Sequence, residues 1–158
     1  YDAFFIGLSN ELKPLRQKFL KEIPLHDRYS DYNIYLNSYD KNQGGLCKDD
    51  YIKMIKSSIV SIDLSGTSDN LTMRFNEILF CNEMVLTDSG ILHYYVSEFF
   101  LKQIDKFVFK NHNDFFDLLD FYKKNDDYRL ENIKNIRKIF LSFYNPYTHG
   151  KEIYKTII

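Results

Sequence analysis

Asn70, Arg74, Glu77 and Cys81 follow one another at i, i+4, i+7 and i+11 in NLTMRFNEILFCN, the clearest amphipathic helical pattern in the chain. The helix expected over 70–82 follows a short loop. In the loop-to-helix segment 64–77, Gly66 permits a sharp turn, and Thr67, Ser68, Asn70 and Thr72 offer small hydrogen-bonding groups. Unsatisfied N–H groups and the positive end of the helix dipole would face whatever lies before the helix, which suits a phosphate. Arg74 falls one turn below that position and Glu77 one turn deeper. A guanidinium matches a diphosphate. An ionised carboxylate has two acceptor oxygens and can take both vicinal hydroxyls of a ribose. The plain alternatives are an ordinary helix cap and an intrahelical Arg74–Glu77 ion pair on a solvated face, worth a few tenths of a kcal/mol. Neither the lysine-bearing phosphate loop nor the three-glycine dinucleotide fingerprint is present. Arg16, on a helix close to another strand end, is a further candidate phosphate ligand; the plain reading is a solvent-facing arginine.

Other constellations are poorer. His26, His93, His112 and His149 are scattered without metal-ligand spacing and read as surface or cap residues. No Asp-x-Asp occurs, so one familiar way of holding a divalent ion against a nucleotide diphosphate is missing. The pairs Asp49-Asp50 and Asp126-Asp127 fall at expected helix starts, where acids favour the dipole. Tyr35 and Tyr39 could stack on a base, but the chain has 13 tyrosines to choose from.

The elements that must position these groups alternate along the chain. Short apolar runs at DAFFIGL (2–8), NIYLNS (33–38), IVSIDLSG (59–66), EMVLTD (83–88) and FVF (107–109) read as strands. Helical patterns lie between or after them at 10–23, 48–58, 70–82, near 94–104, at 112–124 and 127–144, with a last helix over 148–158. In the first of these, Leu12, Leu15, Phe19 and Ile23 are the expected core face, Asn10 the cap and Pro14 a residue of the first turn. Asp69 or Asn70 is expected to cap the 70–82 helix. Leu71, Phe75, Ile78 and Leu79 form its core face, and Asn82 stands where a left-handed C′ residue belongs. Strands separated by such helices imply right-handed crossovers. The expected fold is α/β: a doubly wound parallel sheet of about five to six strands, helices on both faces and a helical C-terminus. Ligands of such sheets bind outside the carboxyl ends of the strands. That places attention on Gly7–Asn10, loop 38–47, loop 64–70 and the turn after Asp88.

Size and charge set the outer bounds. A chain of 158 residues suits one domain, expected over 1–158. Lys plus Arg is 21 against 22 Asp plus Glu, which argues against bulk-charge binding to nucleic acid. The apolar run AFFIGL is far short of the roughly 20 residues that span a bilayer. Cys47 and Cys81 read as free thiols of a reducing compartment. The chain opens at Tyr1 inside a strand-like run, so a fragment is expected.

The segment YIKMIKSSIVSIDLSGTSDNLTMRFNEILFCNEMVLTD (51–88) resembles the donor-binding half of GT-B glycosyltransferases, near the group-1-like branch and exostosin-type relatives. The shared pattern is a tyrosine helix ending in serine, a strand, a glycine loop, R-x-x-E-A-L-x-x-G and a short strand ending in Asp. Tyr51, Ser58, Gly66, Arg74, Glu77, Leu79 and Asp88 fill it here, while Ile78, Asn82 and, in the closing T-x-x-R segment, Lys151 depart from it. The opening DAFFIG with its Arg16 helix is similar to that half's first strand and phosphate-side helix, and the stretch FKNHNDFFDLLDFYKKNDDYRLENIKNIRKIF is similar to its tail.

The resemblance implies a Rossmann-like C-terminal domain of a metal-independent glycosyltransferase, with no cofactor beyond the nucleotide-sugar substrate. Glu77 would bind the ribose. Arg74, Arg16, Gly66, Thr67, Ser68 and Asn70 would bind the donor diphosphate. The catalytic base would come from an N-terminal acceptor domain of the same enzyme, leaving this domain inactive alone. The acceptor would be a glycan or glycoconjugate, as in polysaccharide biosynthesis. The implied location is the cytoplasm or the cytoplasmic face of a membrane, since many such enzymes work at a membrane. A noncatalytic doubly wound binding or interaction module is the rival reading; transfer of another nucleotide-activated group, such as glycerol phosphate, is a third.

Overall fold

The computed structural model describes residues 1–8, 13–39, 46–65, 73–88 and 106–144. Five strands form one parallel sheet: β1 (Ala3–Leu8), β2 (Ile34–Tyr39), β3 (Val60–Asp63), β4 (Val85–Asp88) and β5 (Val108–Phe109), in the order β2-β1-β3-β4-β5. Five α-helices accompany them among the described residues: α1 (Pro14–Glu22), α2 (Lys48–Lys56), α3 (Met73–Phe80), α4 (His112–Lys124) and α5 (Asp126–Tyr144). This is the doubly wound α/β class that the alternation of patterns implies. The expected helices near 94–104 and over 148–158, and the caps at Asp69 and Asn70, lie outside the described residues; the first helix is not capped by Asn10 but starts at Pro14, with Lys13 in the N-cap position and no side-chain cap bond.

β1 is buried on both faces, which is why it reads as an uninterrupted apolar run. Successive side chains of a strand point to opposite faces. Phe4 meets Tyr35 and Tyr51 of α2, with ring centroids 5.8 and 6.1 Å apart. Phe5 lies instead beneath Arg16 of α1, 5.8 Å from the guanidinium carbon. The two faces therefore carry different helices. α4 joins α1, because Phe19 packs on Phe109 and edge-on against Phe115. α5 packs on α3 and α4; its Arg129 donates to the Ile59 carbonyl at 3.2 Å. Right-handed crossovers require this division, since the path steps to one side from β1 to β2 and to the other side thereafter.

The first helix covers Phe19 and Ile23 as expected but departs at Leu15, while Leu12 lies outside the described residues. Leu15 is 55% exposed, while Arg16 is 3% exposed. The buried stripe is Arg16, Phe19 and Ile23, with Phe19 partly covered. Pro14 occupies the first helical turn, where its missing N–H breaks no bond. Asp49, Asp50, Asp126 and Asp127 do stand in first turns. Cys47 and Cys81 are free thiols.

At the other end of α3, Asn82 has φ 62°. Its N–H donates to the Leu79 carbonyl at 3.1 Å, and that of Glu83 to Ile78 at 3.3 Å. This is the Schellman pattern expected of a left-handed C′ residue. Asn82→Ala should cost about 1 kcal/mol through backbone strain, whereas Asn82→Gly should stay within a few tenths. Urea denaturation of the two variants checks this. Equal loss in both would place the effect in the side chain's bond from Arg137, 3.2 Å long.

Candidate functional site

The path of the chain reverses between β1 and β3: β2 lies to one side of β1, and β3, β4 and β5 to the other. The carboxyl ends of β1 and β3 thus form the switch point at which such sheets hold ligands. The ladder across this gap is short. β1 and β2 pair along all of Ala3–Leu8, but β1 and β3 pair only at Ala3–Val60 and Phe4–Ser61. Beyond those two pairs the strand ends bring Gly7 and Asp63 to the gap.

Arg74 fills that place. Its side chain is 16% exposed, and Nη1 lies 3.9 Å from the buried Asp63 carboxylate. The guanidinium carbon is 5.1 Å from the Phe5 ring centroid. Nε and Nη1 are buried without a hydrogen-bond partner. A Cβ on residue 7 would stand 2.5 Å from Nη2 and 3.0 Å from both Cζ and Nη1. Gly7 is thus what lets the guanidinium lie across the end of β1. Arg16 reaches the same strand ends from α1: Nη2 donates to the Leu64 carbonyl just past β3. Phe5 therefore has both guanidinium groups over its ring, one from each helical layer.

Glu77 behaves differently. It is exposed, and Oε2 accepts from the Tyr51 phenol at 3.1 Å. The described residues do not show the intrahelical Arg74–Glu77 ion pair; Arg74 turns to Asp63 and Glu77 to Tyr51. Burial pushes the Tyr51 phenol well above its ordinary pKa; Arg74 pulls it back and Glu77 raises it further. The phenol therefore stays protonated and donating throughout the physiological range. Gly66, Thr67, Ser68 and Asn70 lie outside the described residues. Asp88, ending β4, accepts from the Ser65 N–H at 3.0 Å and its hydroxyl at 2.6 Å.

Beside these groups, at the carboxyl ends of β3, β4 and β5, lies a cleft of about 300 Å³, lined among others by Lys18, Phe19, Ser65, Asp88, Lys110 and His112. His112 opens α4 behind the cap residue Asn111, whose side chain accepts from Asp114 N–H. Burial pushes the His112 imidazole pKa down, partly opposed by Glu22. His26 bonds to Asn113 Oδ1 at 2.9 Å, a surface role as expected; His93 and His149 lie outside the described residues. Tyr35 is committed to aromatic contacts with Tyr1 and Phe4.

Three contributors escaped the reading of spacing: Asp63, the partnership of Tyr51 with Glu77, and Gly7 as a seat for Arg74. Asp63 left one signal, a lone acid inside the apolar run VSIDL, since a buried carboxylate needs a partner. The other two are contacts between positions far apart in the chain.

Comparison with known proteins adds one match. A family model described as glycosyl transferase-like covers residues 13–153. No curated protein and no solved structure matches the chain. The family match spans nearly every element described above, including both arginines and Glu77, and it supports glycosyl transfer in general. The chain belongs to the glycosyl transferase-like family, and its parallel five-stranded sheet is that of a GT-B-like, Rossmann-like domain.

Proposed function

We propose that this domain binds the nucleotide-sugar donor of a GT-B-type glycosyltransferase, as its C-terminal half. One observation carries the reading: two guanidinium groups from opposite helical layers meet over Phe5 at the switch point of the sheet. Arg74 brings buried N–H groups to that point. A diphosphate supplies the acceptors and the negative charge such groups require. Glu77, in the same helix, would take the ribose hydroxyls. The adjoining cleft offers volume for the rest of the donor.

In the reaction an acceptor hydroxyl of a glycan or glycoconjugate attacks the anomeric carbon. The bond from that carbon to the diphosphate oxygen breaks, and the electron pair leaves with the nucleoside diphosphate. Arg74 and Arg16 would stabilise the charge growing on that oxygen, together with backbone N–H groups of the 66–70 loop, in place of a metal ion. The proton of the acceptor would go to a base on an N-terminal domain of the same enzyme. Without that domain the chain would bind donor and not turn it over. A cytoplasmic or membrane-surface setting and a role in polysaccharide assembly belong to the same proposal.

Titration calorimetry with UDP, GDP and ADP tests it. One of the three should bind at millimolar concentration or below, and Arg74→Ala and Glu77→Ala should each weaken it. Failure of all three would favour the noncatalytic module. Binding indifferent to both substitutions would refute the residue roles while leaving the class standing.

A further inference from the structure

Tyr51 has no place in the donor scheme above, yet it contacts the group that defines it. Its ring packs against Phe4 of β1. Its phenol reaches across 26 positions to Oε2 of Glu77. A glutamate on an exposed helix face samples many rotamers, and ordering it at the moment of binding costs affinity. A bond to one carboxylate oxygen from a donor seated on the sheet removes much of that freedom. It also leaves Oε1 to accept from a ligand, so the bond does not consume the binding capacity of the carboxylate. Burial raises the pKa of the phenol, Arg74 lowers it and Glu77 raises it again, with a net upward shift. The phenol therefore remains a donor toward Glu77.

We infer that Tyr51 is a positioning residue: it holds the Glu77 carboxylate in the rotamer that receives the ribose, and so sets the preference for ribonucleotide over 2′-deoxyribonucleotide donors. The inference rests on the reading of Glu77 as the ribose ligand. A merely structural tyrosine would affect stability, or both nucleotides equally.

The test compares the best-bound of UDP, GDP and ADP with its 2′-deoxy counterpart. The proteins are the chain itself, Tyr51→Phe, Glu77→Ala and the double variant. The chain should favour the ribonucleotide by about tenfold, in line with a hydrogen bond to a charged group. Tyr51→Phe keeps the ring against Phe4. It should retain the melting temperature and lose most of that preference, with the ribonucleotide weakened more than the deoxynucleotide. In Glu77→Ala the preference should vanish, and adding Tyr51→Phe should change nothing further. If Tyr51→Phe keeps the full preference that Glu77→Ala abolishes, the inference falls and the donor reading stands. If the chain shows no preference, or Glu77→Ala retains it, the ribose role of Glu77 falls and the inference with it. Binding by none of the three nucleotides overturns both.

Discussion

Gly7→Ala is expected to weaken nucleotide binding by about tenfold while leaving the domain folded. The added methyl would stand 2.5 Å from Nη2 of Arg74, well inside contact distance. What it meets is the far end of a flexible side chain, which can swing away at small cost. The strand itself therefore survives, and the melting temperature should move by no more than about 2 °C. The guanidinium, however, loses its seat across the end of β1. Arg74→Ala removes the charge altogether and should cost on the order of a hundredfold, the scale for truncating one side of a desolvated charge pair. Arg74→Lys should fall between the two, because an ammonium offers a point charge and no planar fork. Calorimetric titration of the three variants gives the order. If Gly7→Ala binds as the parent does, Arg74 acts from some other position than the one it occupies here.

The largest effect on stability is expected at Phe115. It is fully buried and lies edge-on to Phe19, Phe109 and Phe116, with centroids 5.7, 5.4 and 5.2 Å away. These rings tie α1 and α4 to each other and to β5. Phe115→Ala should cost about 3–5 kcal/mol through lost transfer energy and the cavity left behind. In a domain of this size that lowers the melting temperature by about 10 °C or more. Phe121, on the same helix and 41% exposed, is the control; Phe121→Ala should cost about 1 kcal/mol or less. Similar losses at both positions would mean that α4 is not packed as described.

The layout of strands and helices was legible because each element announces itself locally. AFFIGL and VSID are apolar runs of strand length, the 112–124 segment repeats its apolar residues at helical spacing, and Asn82 ends a helix as only a few residue types can. One position of the first helix departs from its pattern for an equally physical reason. Its buried stripe contains Arg16, whose aliphatic stem and guanidinium cover Phe5, so a rule that seeks apolar residues passes over it and takes Leu15 instead. At the site, Arg74 and Glu77 were visible as neighbours on one helix. That they turn to different partners was not, because Asp63 and Tyr51 come from other elements brought together only by the sheet. The resemblance over 51–88 carried the functional class, which the family match supports in its broad form. Spacing alone left the ordinary cap and the solvated ion pair open.

The central claim is that a nucleoside diphosphate is held at the carboxyl ends of β1 and β3 by Arg74, with Glu77 on its ribose. A crystal structure of the chain with its best-bound nucleoside diphosphate measures this directly. The account predicts phosphate oxygens within hydrogen-bond distance of the Arg74 guanidinium and a ribose hydroxyl on Glu77. A nucleotide seated elsewhere, with Arg74 still turned to Asp63 and Glu77 touching only Tyr51, would contradict it.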